Sequence, residues 1–335
     1  MKTAHRLTFV VCIFVAPTAH AALSINLNAG ANLTANTAAL NAFQAAAQQW
    51  ESLLGDDITV NIDADLSNAF SNPLTIGTAS SAIYGTSFNN LRNALVADAA
   101  NEADDAIVAS LSTLTTSQFT LPSGVGMSGF GIATGANMKA LGLLPAHQAL
   151  SDATITFNSN FSFDYDNSDG VTPGTVDFET VALHEIGHAL GFASTVDEID
   201  FGETSASPFP LDFFRFADGA DPSNAAEFAS NDRNLVPGDA ALFDDTANEW
   251  ALSTGVNDGD GRQASHWKDN ALTGDLIGLL DPTLPAGLAV PITYADLRVL
   301  DLIGYEFTAV PEASQLLFGA LVISLMGVRK AVKRR

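Results

Sequence analysis

Two histidines four residues apart, with a glutamate directly after the first, are the residues of this chain best suited to chemistry: His184, Glu185 and His188. Residues at positions i and i+4 share one face of an α-helix, about 6 Å apart along its axis, so both imidazoles reach one metal ion. The HExxH spacing is typical of zinc hydrolases, in which the histidines bind Zn²⁺ and the glutamate is the general base. The pattern therefore predicts His184 and His188 as metal ligands and Glu185 as the catalytic residue.

A helix must position these three side chains. Residues 175–177 offer a helix start, and Gly191 permits the positive φ that ends a helix and turns the chain. Two core histidines on an apolar helix are the alternative interpretation. The chain has only six histidines, so a chance HExxH is expected in about a few chains per thousand, which disfavours that alternative.

A catalytic zinc needs a third protein ligand. The compact motif HExxHxxGxxH of metzincins places it at Ser194, whose hydroxyl is a poor zinc ligand. After Gly191, 74 residues precede His266, which lies in the sequence Ser-His-Trp and is the predicted third ligand. Glu227 and Glu249 are rival candidates, because gluzincins supply a third-ligand glutamate from a later helix.

Residues 184–192 and 265–282 resemble the leishmanolysin-like metzincins, in which a long insertion separates the glycine turn from a third histidine followed by tryptophan. Leu280 stands where that family has the methionine of its Met-turn, and a leucine of similar volume can fill the same space. The resemblance implies zinc-dependent endopeptidase activity on protein or peptide substrates. It also implies an α+β, metzincin-like zincin fold: an N-terminal twisted sheet with helices that include the metal-binding helix, then a mostly irregular C-terminal lobe closed by a helix.

Hydrophobic periodicity predicts the remaining elements. Apolar alternation indicates strands, and capping residues followed by apolar residues at helical spacing indicate helices. The expected strands are 23–27, 58–66, 152–163 and 211–216, and the expected helices are 37–53, 89–114 and 293–303. Strand 152–163 precedes the metal helix, so we expect it to be the sheet edge that binds an extended substrate.

Both ends of the chain carry targeting patterns, which divide it into a signal peptide (1–21), a catalytic lobe (22–192), a C-terminal lobe (193–309) and a tail (310–335). Basic residues, a short apolar run and small residues near Ala21 are typical of a secretory signal, which also contains the only cysteine. In the tail, Pro311-Glu312-Ala313 is followed by an apolar run from Leu316 to Val328 and a basic end. This layout resembles the bacterial PEP-CTERM sorting signal, with an ordinary C-terminal membrane anchor as the alternative. The resemblance implies recognition by exosortase-type machinery, membrane contact before processing, and a secreted or cell-envelope location in a bacterium.

The excess of acidic over basic residues limits the classes of molecule that this chain can bind. Residues 22–310 hold 7 of the 14 Lys and Arg but 37 of the 38 Asp and Glu, which argues against a nucleic-acid partner. Solubility is the simplest interpretation of this acidity. The turns 164–170 and 257–261 are candidate Ca²⁺ sites, with plain Asp- and Gly-rich turns as the alternative. A non-catalytic zinc-fold envelope or matrix protein is the competing function.

Overall fold

The computed structural model describes residues 22–115 and 118–307. The predicted signal peptide and the predicted sorting tail therefore lie outside the described residues. Within the described residues, no helix has both the length and the apolar character needed to cross a bilayer.

The described elements mix helices and strands in an α+β arrangement. The helices are α1 (Ala31–Ala35), α2 (Thr37–Leu53), α3 (Phe88–Asp98), α4 (Gly135–Ala140), α5 (Phe178–Leu190), α6 (Thr195–Asp200), α7 (Ala225–Ser230), α8 (Asn270–Thr273) and α9 (Tyr294–Leu302). The strands are β1 (Ser24–Ala29), β2 (Thr59–Ser67), β3 (Gly77–Ser81), β4 (Ile83–Ser87), β5 (Phe119–Thr120), β6 (Gly126–Met127), β7 (Phe130–Thr134), β8 (Ala153–Asn158), β9 (Phe163–Asp164), β10 (Val176–Asp177), β11 (Ser205–Ala206), β12 (Arg215–Ala217), β13 (Arg233–Asn234), β14 (Ala241–Asp244) and β15 (Glu249–Leu252).

A four-stranded sheet in the order β1-β2-β8-β3 positions the HExxH helix. Strands β1, β2 and β8 are parallel, and β3 runs antiparallel to β8. Every second residue of β2 is buried, which is the alternation that its sequence predicts. Helix α2 is capped by the Asn36 side chain and packs beside α5, so the predicted strand-helix-strand opening is confirmed.

The predicted substrate-binding edge was wrong. Strand β8 lies inside the sheet, because it pairs with β2 on one side and with β3 on the other. The edge strand is β3, whose small and polar residues lack the apolar alternation that marks a strand in sequence. An edge strand with one side in solvent needs no such alternation, so its sequence carried little signal.

Two further predicted elements differ from the structure. The expected helix 89–114 ends at Asp98 and continues as two short 3₁₀ segments, Ala99–Asn101 and Ala106–Ser110. The expected strand 211–216 begins as a 3₁₀ turn, Pro210–Phe214, because the Asp212 carboxylate accepts the Phe209 N–H and closes the turn. Strand β12 follows only from Arg215.

Residues 193–307 are largely loops, but they also carry a sheet that the sequence did not indicate. Its order is β15-β14-β12-β13-β5, so β5 of the preceding lobe joins four strands of the C-terminal lobe. The predicted closing helix is confirmed as α9, with a capping box between Thr293 and Asp296. Most buried apolar residues form one continuous core across both lobes.

Candidate metal centre

Helix α5 presents His184, Glu185 and His188. It begins after Asp177, whose carboxylate accepts the Thr180 N–H, and ends at Gly191, where φ is 130°. A side chain would be strained at that φ, so glycine permits the sharp turn that follows the second histidine.

Three imidazole nitrogens meet at this helix. The Nε2 atoms of His184 and His188 are 3.1 Å apart, and they lie 3.2 Å and 3.1 Å from Nε2 of His266. Three nitrogens bound tetrahedrally to one zinc at 2.0–2.1 Å would be about 3.3 Å apart. The separations therefore fit a single zinc-sized ion, and the structure brings together all three predicted ligands.

The second nitrogen of each histidine ring, Nδ1, makes a hydrogen bond that determines whether Nε2 carries a proton or a lone pair. Nδ1 of His184, His188 and His266 lies 2.9 Å, 2.8 Å and 3.2 Å from the carbonyl oxygens of Leu279, Phe192 and Gln263, respectively. Because a carbonyl oxygen only accepts, each Nδ1 carries the proton of its neutral ring. Three Nε2 lone pairs then face one another, and a shared cation is what makes that arrangement favourable.

The surroundings keep these rings neutral. Burial lowers the pKa of His184 to about 4. Burial and the neighbouring His184 lower the pKa of His188 to about 3. The pKa of His266 also lies well below the usual value, first through burial and then through the other two histidines and Arg262. Neutral imidazole is the form that binds metal, so the site favours ligation over protonation near pH 7.

Glu185 is buried beside the two helical ligands, with 6% of its surface exposed, and burial raises its pKa to about 8. A bound cation would favour its ionised form. The edge strand β3 approaches it closely at Gly77, where an added Cβ would lie 2.8 Å from Glu185 Oε1 and 3.0 Å from Val181 Cγ1. Glycine at position 77 therefore gives the Glu185 carboxylate its space.

The loop that carries His266 is held by Asp197 of helix α6. The Asp197 carboxylate accepts the N–H groups of Ala264 at 2.6 Å and Ser265 at 3.0 Å, together with the Ser265 hydroxyl at 2.5 Å. The Ser194 N–H donates to Ser265 Oγ at 2.9 Å. Ser194, which stands at the ligand position of the compact motif, therefore binds the neighbour of the distant histidine.

A second carboxylate, on helix α9, fixes the other side of the centre. Asp296 is fully buried and accepts the N–H groups of Leu279 and Leu280 and the indole N–H of Trp267. Leu280 packs against the helix, since an added Cβ at Gly187 would lie 3.1 Å from Leu280 Cδ2. Leu280 therefore packs against the HExxH helix, and the carbonyl of Leu279 before it accepts from His184 Nδ1.

The centre opens into a cleft of about 830 Å³, which is lined by Glu185, the three histidines and residues of β3. Strand β3 and the loop 261–266 both contribute to its walls. An extended peptide has room there to reach the metal centre and the sheet edge together.

The rival ligands lie elsewhere. Glu227 accepts from Ser223 at the start of α7, and Glu249 lies with Asp221 and Asp244 in a separate acidic group. His147 is exposed and bonds to Thr59. The structure therefore brings neither glutamate to the histidine pair.

The two candidate Ca²⁺ turns are held by hydrogen bonds of their own. Asp164 and Asp166 accept backbone N–H groups within the first turn. Asp200 accepts three N–H groups, those of residues 256–258, at the second turn. Among the described residues, the groups of three or more metal-ligating side chains other than the histidines are Glu102–Asp105–Asp301 and Asp221–Asp244–Glu249, outside both turns.

Comparisons of the chain with protein-family models, curated proteins and solved structures found no match. Sequence reasoning missed two supporting residues of the centre. Asp197 carries no local signal, because its partners lie 67 and 68 residues away. The contacts of Asp296 with residues 267, 279 and 280 span 16 to 29 residues, so no local pattern indicates them.

Proposed function

We propose that this chain is a secreted zinc-dependent endopeptidase with a metzincin-like zincin fold. His184, His188 and His266 bind Zn²⁺, and Glu185 is the general base. The observation that carries the proposal is the meeting of three neutral Nε2 atoms beside a buried glutamate that lines a substrate-sized cleft. Export through residues 1–21 and sorting through residues 310–335 belong to the same proposal.

Each group has a defined task in peptide hydrolysis. Zinc, when bound, supplies Lewis-acid polarisation of the substrate carbonyl and lowers the pKa of water. The Glu185 carboxylate takes a proton from the attacking water and passes it to the leaving amine nitrogen. The free edge of β3 offers backbone N–H and C=O groups that align an extended peptide.

The position of Glu185 favours catalysis over a structural role. A structural zinc site closes its coordination with protein ligands and needs no general base. Here three histidines converge, and a carboxylate lines the cleft beside them. A non-catalytic envelope or matrix protein would gain nothing from a buried glutamate at that place.

The test compares wild type with Glu185→Gln, His266→Ala and, as a histidine control outside the cleft, His147→Ala. We expect one zinc per chain in wild type, Glu185→Gln and His147→Ala. Casein hydrolysis should be chelator-sensitive in wild type and fall by about 10²- to 10⁴-fold in Glu185→Gln, since the general base is lost. His266→Ala should lose tight zinc.

Three outcomes would contradict parts of the proposal. Normal turnover by Glu185→Gln would refute the role of the base. Tight one-to-one zinc in His266→Ala would move the third ligand elsewhere. Zinc binding by wild type without hydrolysis of any substrate would favour the envelope or matrix protein.

A further inference from the structure

Arg262 is the only lysine or arginine among the described residues that line the cleft. Basic side chains are scarce in this chain, and several are buried away from solvent: Lys139, Arg215, Arg233 and Arg298. The Arg262 side chain keeps 38% of its surface exposed. Arg262 is therefore a partly exposed cation in the cleft wall, although it also forms an ion pair with Asp269.

Two of the three guanidinium nitrogens of Arg262 make hydrogen bonds. Nε donates to Asp269 Oδ2 at 2.8 Å, and Nη1 donates to the Gly261 carbonyl at 3.2 Å. Asp269 is itself buried and fixed, because it accepts the Ala271 N–H at 2.7 Å and the Thr283 hydroxyl at 3.1 Å. Within the described part of the chain, Nη2 makes no hydrogen bond.

The residues around Arg262 indicate which chemical group its guanidinium would bind. Arg262 belongs to the loop that ends in His266, and it lines the cleft that contains the three histidines. Glu185 and Glu198 also line this cleft and repel a strongly acidic peptide. One carboxylate in contact with the guanidinium gains a charge-assisted hydrogen bond, whereas more distant charges are screened.

We infer that Arg262 binds a single carboxylate of the peptide substrate near the scissile bond. The protein therefore prefers substrates with one glutamate or aspartate at that position over the uncharged counterparts. This inference rests on the proposed endopeptidase function and names its substrate class. The carboxylate comes either from an acidic side chain or from the end of a short peptide.

Matched fluorogenic peptides test the inference. The reference peptide is uncharged and amidated, with glutamine at each position flanking the cleaved bond. One series replaces each glutamine in turn by glutamate, and a separate peptide restores only the free C-terminal carboxylate. We expect kcat/KM to rise about tenfold for one peptide of the set, as for a charge-assisted hydrogen bond discounted for partial exposure. The responding peptide identifies the source of the carboxylate.

Substitutions of Arg262 then test whether this residue causes the preference for a carboxylate. Arg262→Gln should reduce the ratio between the preferred peptide and the reference to about one. Arg92→Gln removes an equal charge outside the cleft and should retain the ratio. Arg262→Glu should reverse the preference toward lysine at the same position, a gain that a misfolded variant cannot show. Equal cleavage of all peptides by wild type, or a preference that persists in Arg262→Gln, would overturn the inference.

A binding measurement separates this inference from the proposed function. Fluorescence anisotropy of the same peptides on Glu185→Gln protein reports recognition without turnover. Carboxylate-dependent binding that disappears in the Glu185→Gln, Arg262→Gln double variant supports the role of Arg262 even where no peptide is cleaved. Hydrolysis of the reference peptide without any carboxylate effect refutes Arg262 alone and leaves the proposed function intact.

Discussion

Replacing Asp197 by asparagine should weaken zinc binding through His266 without touching any ligand. The side chain keeps its shape, but one carboxylate oxygen becomes an NH₂ group. That group would face the N–H and hydroxyl of Ser265, which both donate to Asp197 Oδ2. Of the three hydrogen bonds from this loop to Asp197, only the one from the Ala264 N–H would then remain.

The expected magnitude follows from the lost bonds. Hydrogen bonds to a charged group contribute about 1.5–3 kcal/mol each, so the loss of two weakens the loop by about 3–6 kcal/mol. Residues that orient metal ligands typically change metal affinity by about 10- to 100-fold, or about 1.4–2.8 kcal/mol. We therefore expect the zinc dissociation constant to rise within that range, with the remainder appearing as lower thermal stability.

Competition of the protein with a chromophoric chelator measures the zinc affinity, and thermal unfolding with and without EDTA measures the stability. Asp200→Asn is the matched control. Asp200 lies on the same helix and also accepts three hydrogen bonds, but from the N–H groups of residues 256–258 instead of residues 264 and 265. Its substitution should cost stability and leave zinc affinity nearly unchanged.

Wild-type zinc affinity in Asp197→Asn would refute the prediction. An equal loss of zinc affinity in Asp197→Asn and Asp200→Asn would also refute it, because the effect would then reflect general destabilisation. Excess zinc should restore the activity of Asp197→Asn, since the ligands and Glu185 are intact.

Two other substitutions test the space beside Glu185 and the separate acidic group that contains Glu102. Gly77→Ala should lower kcat/KM about tenfold at unchanged zinc content, because its Cβ would crowd Glu185 at 2.8 Å. Gly126→Ala is the control, since an added Cβ there would meet nothing within 4 Å. Equal activities of the two variants would refute the steric argument. Burial and then Glu306 raise the pKa of Glu102 from 4.5 to about 9, so the folded state holds its proton longer and stability falls as pH rises between these values. Glu102→Gln should therefore raise the melting temperature relative to wild type more at pH 8.5 than at pH 5, and an equal difference at both would contradict this.

Elements with short-range determinants were predictable from sequence. Asn36 accepts the Ala39 N–H and starts α2, and Thr293 with Asp296 starts α9, so a few neighbouring residues define each boundary. Strand β2 alternates because one face of it packs on the core. In each case the physical cause and the sequence signal lie within the same few residues.

Sheet position was not predictable in this way. Strand β8 is interior because β3 pairs with it, and β3 comes more than seventy residues earlier in the chain. The sequence Gly77–Ser81 is small, polar and half exposed, which does not distinguish an edge strand from a loop. Which strand forms the sheet edge beside the cleft therefore had to be read from the fold.

The residues of the candidate site likewise divide into those that a local pattern predicts and those that depend on distant partners. The HExxH helix is a local pattern, whereas His266 was predicted only through the resemblance and the small number of histidines. The structure brings its Nε2 to 3.2 Å and 3.1 Å from those of the two helical ligands. Asp197 escaped prediction because an aspartate among other acidic residues carries no sign of partners 67 residues away.

The acidity of the chain has a structural role beside solubility. Asp200, Asp212 and Asp296 are all buried, and each accepts at least two backbone N–H groups from loops. With so few lysines and arginines, ion pairs cannot neutralise these carboxylates, so N–H groups stabilise them instead. These hydrogen bonds also satisfy backbone N–H groups that make no helix or sheet hydrogen bond. A long insertion can therefore return His266 to the HExxH helix with little regular structure, because buried carboxylates fix the loops at both ends of its path.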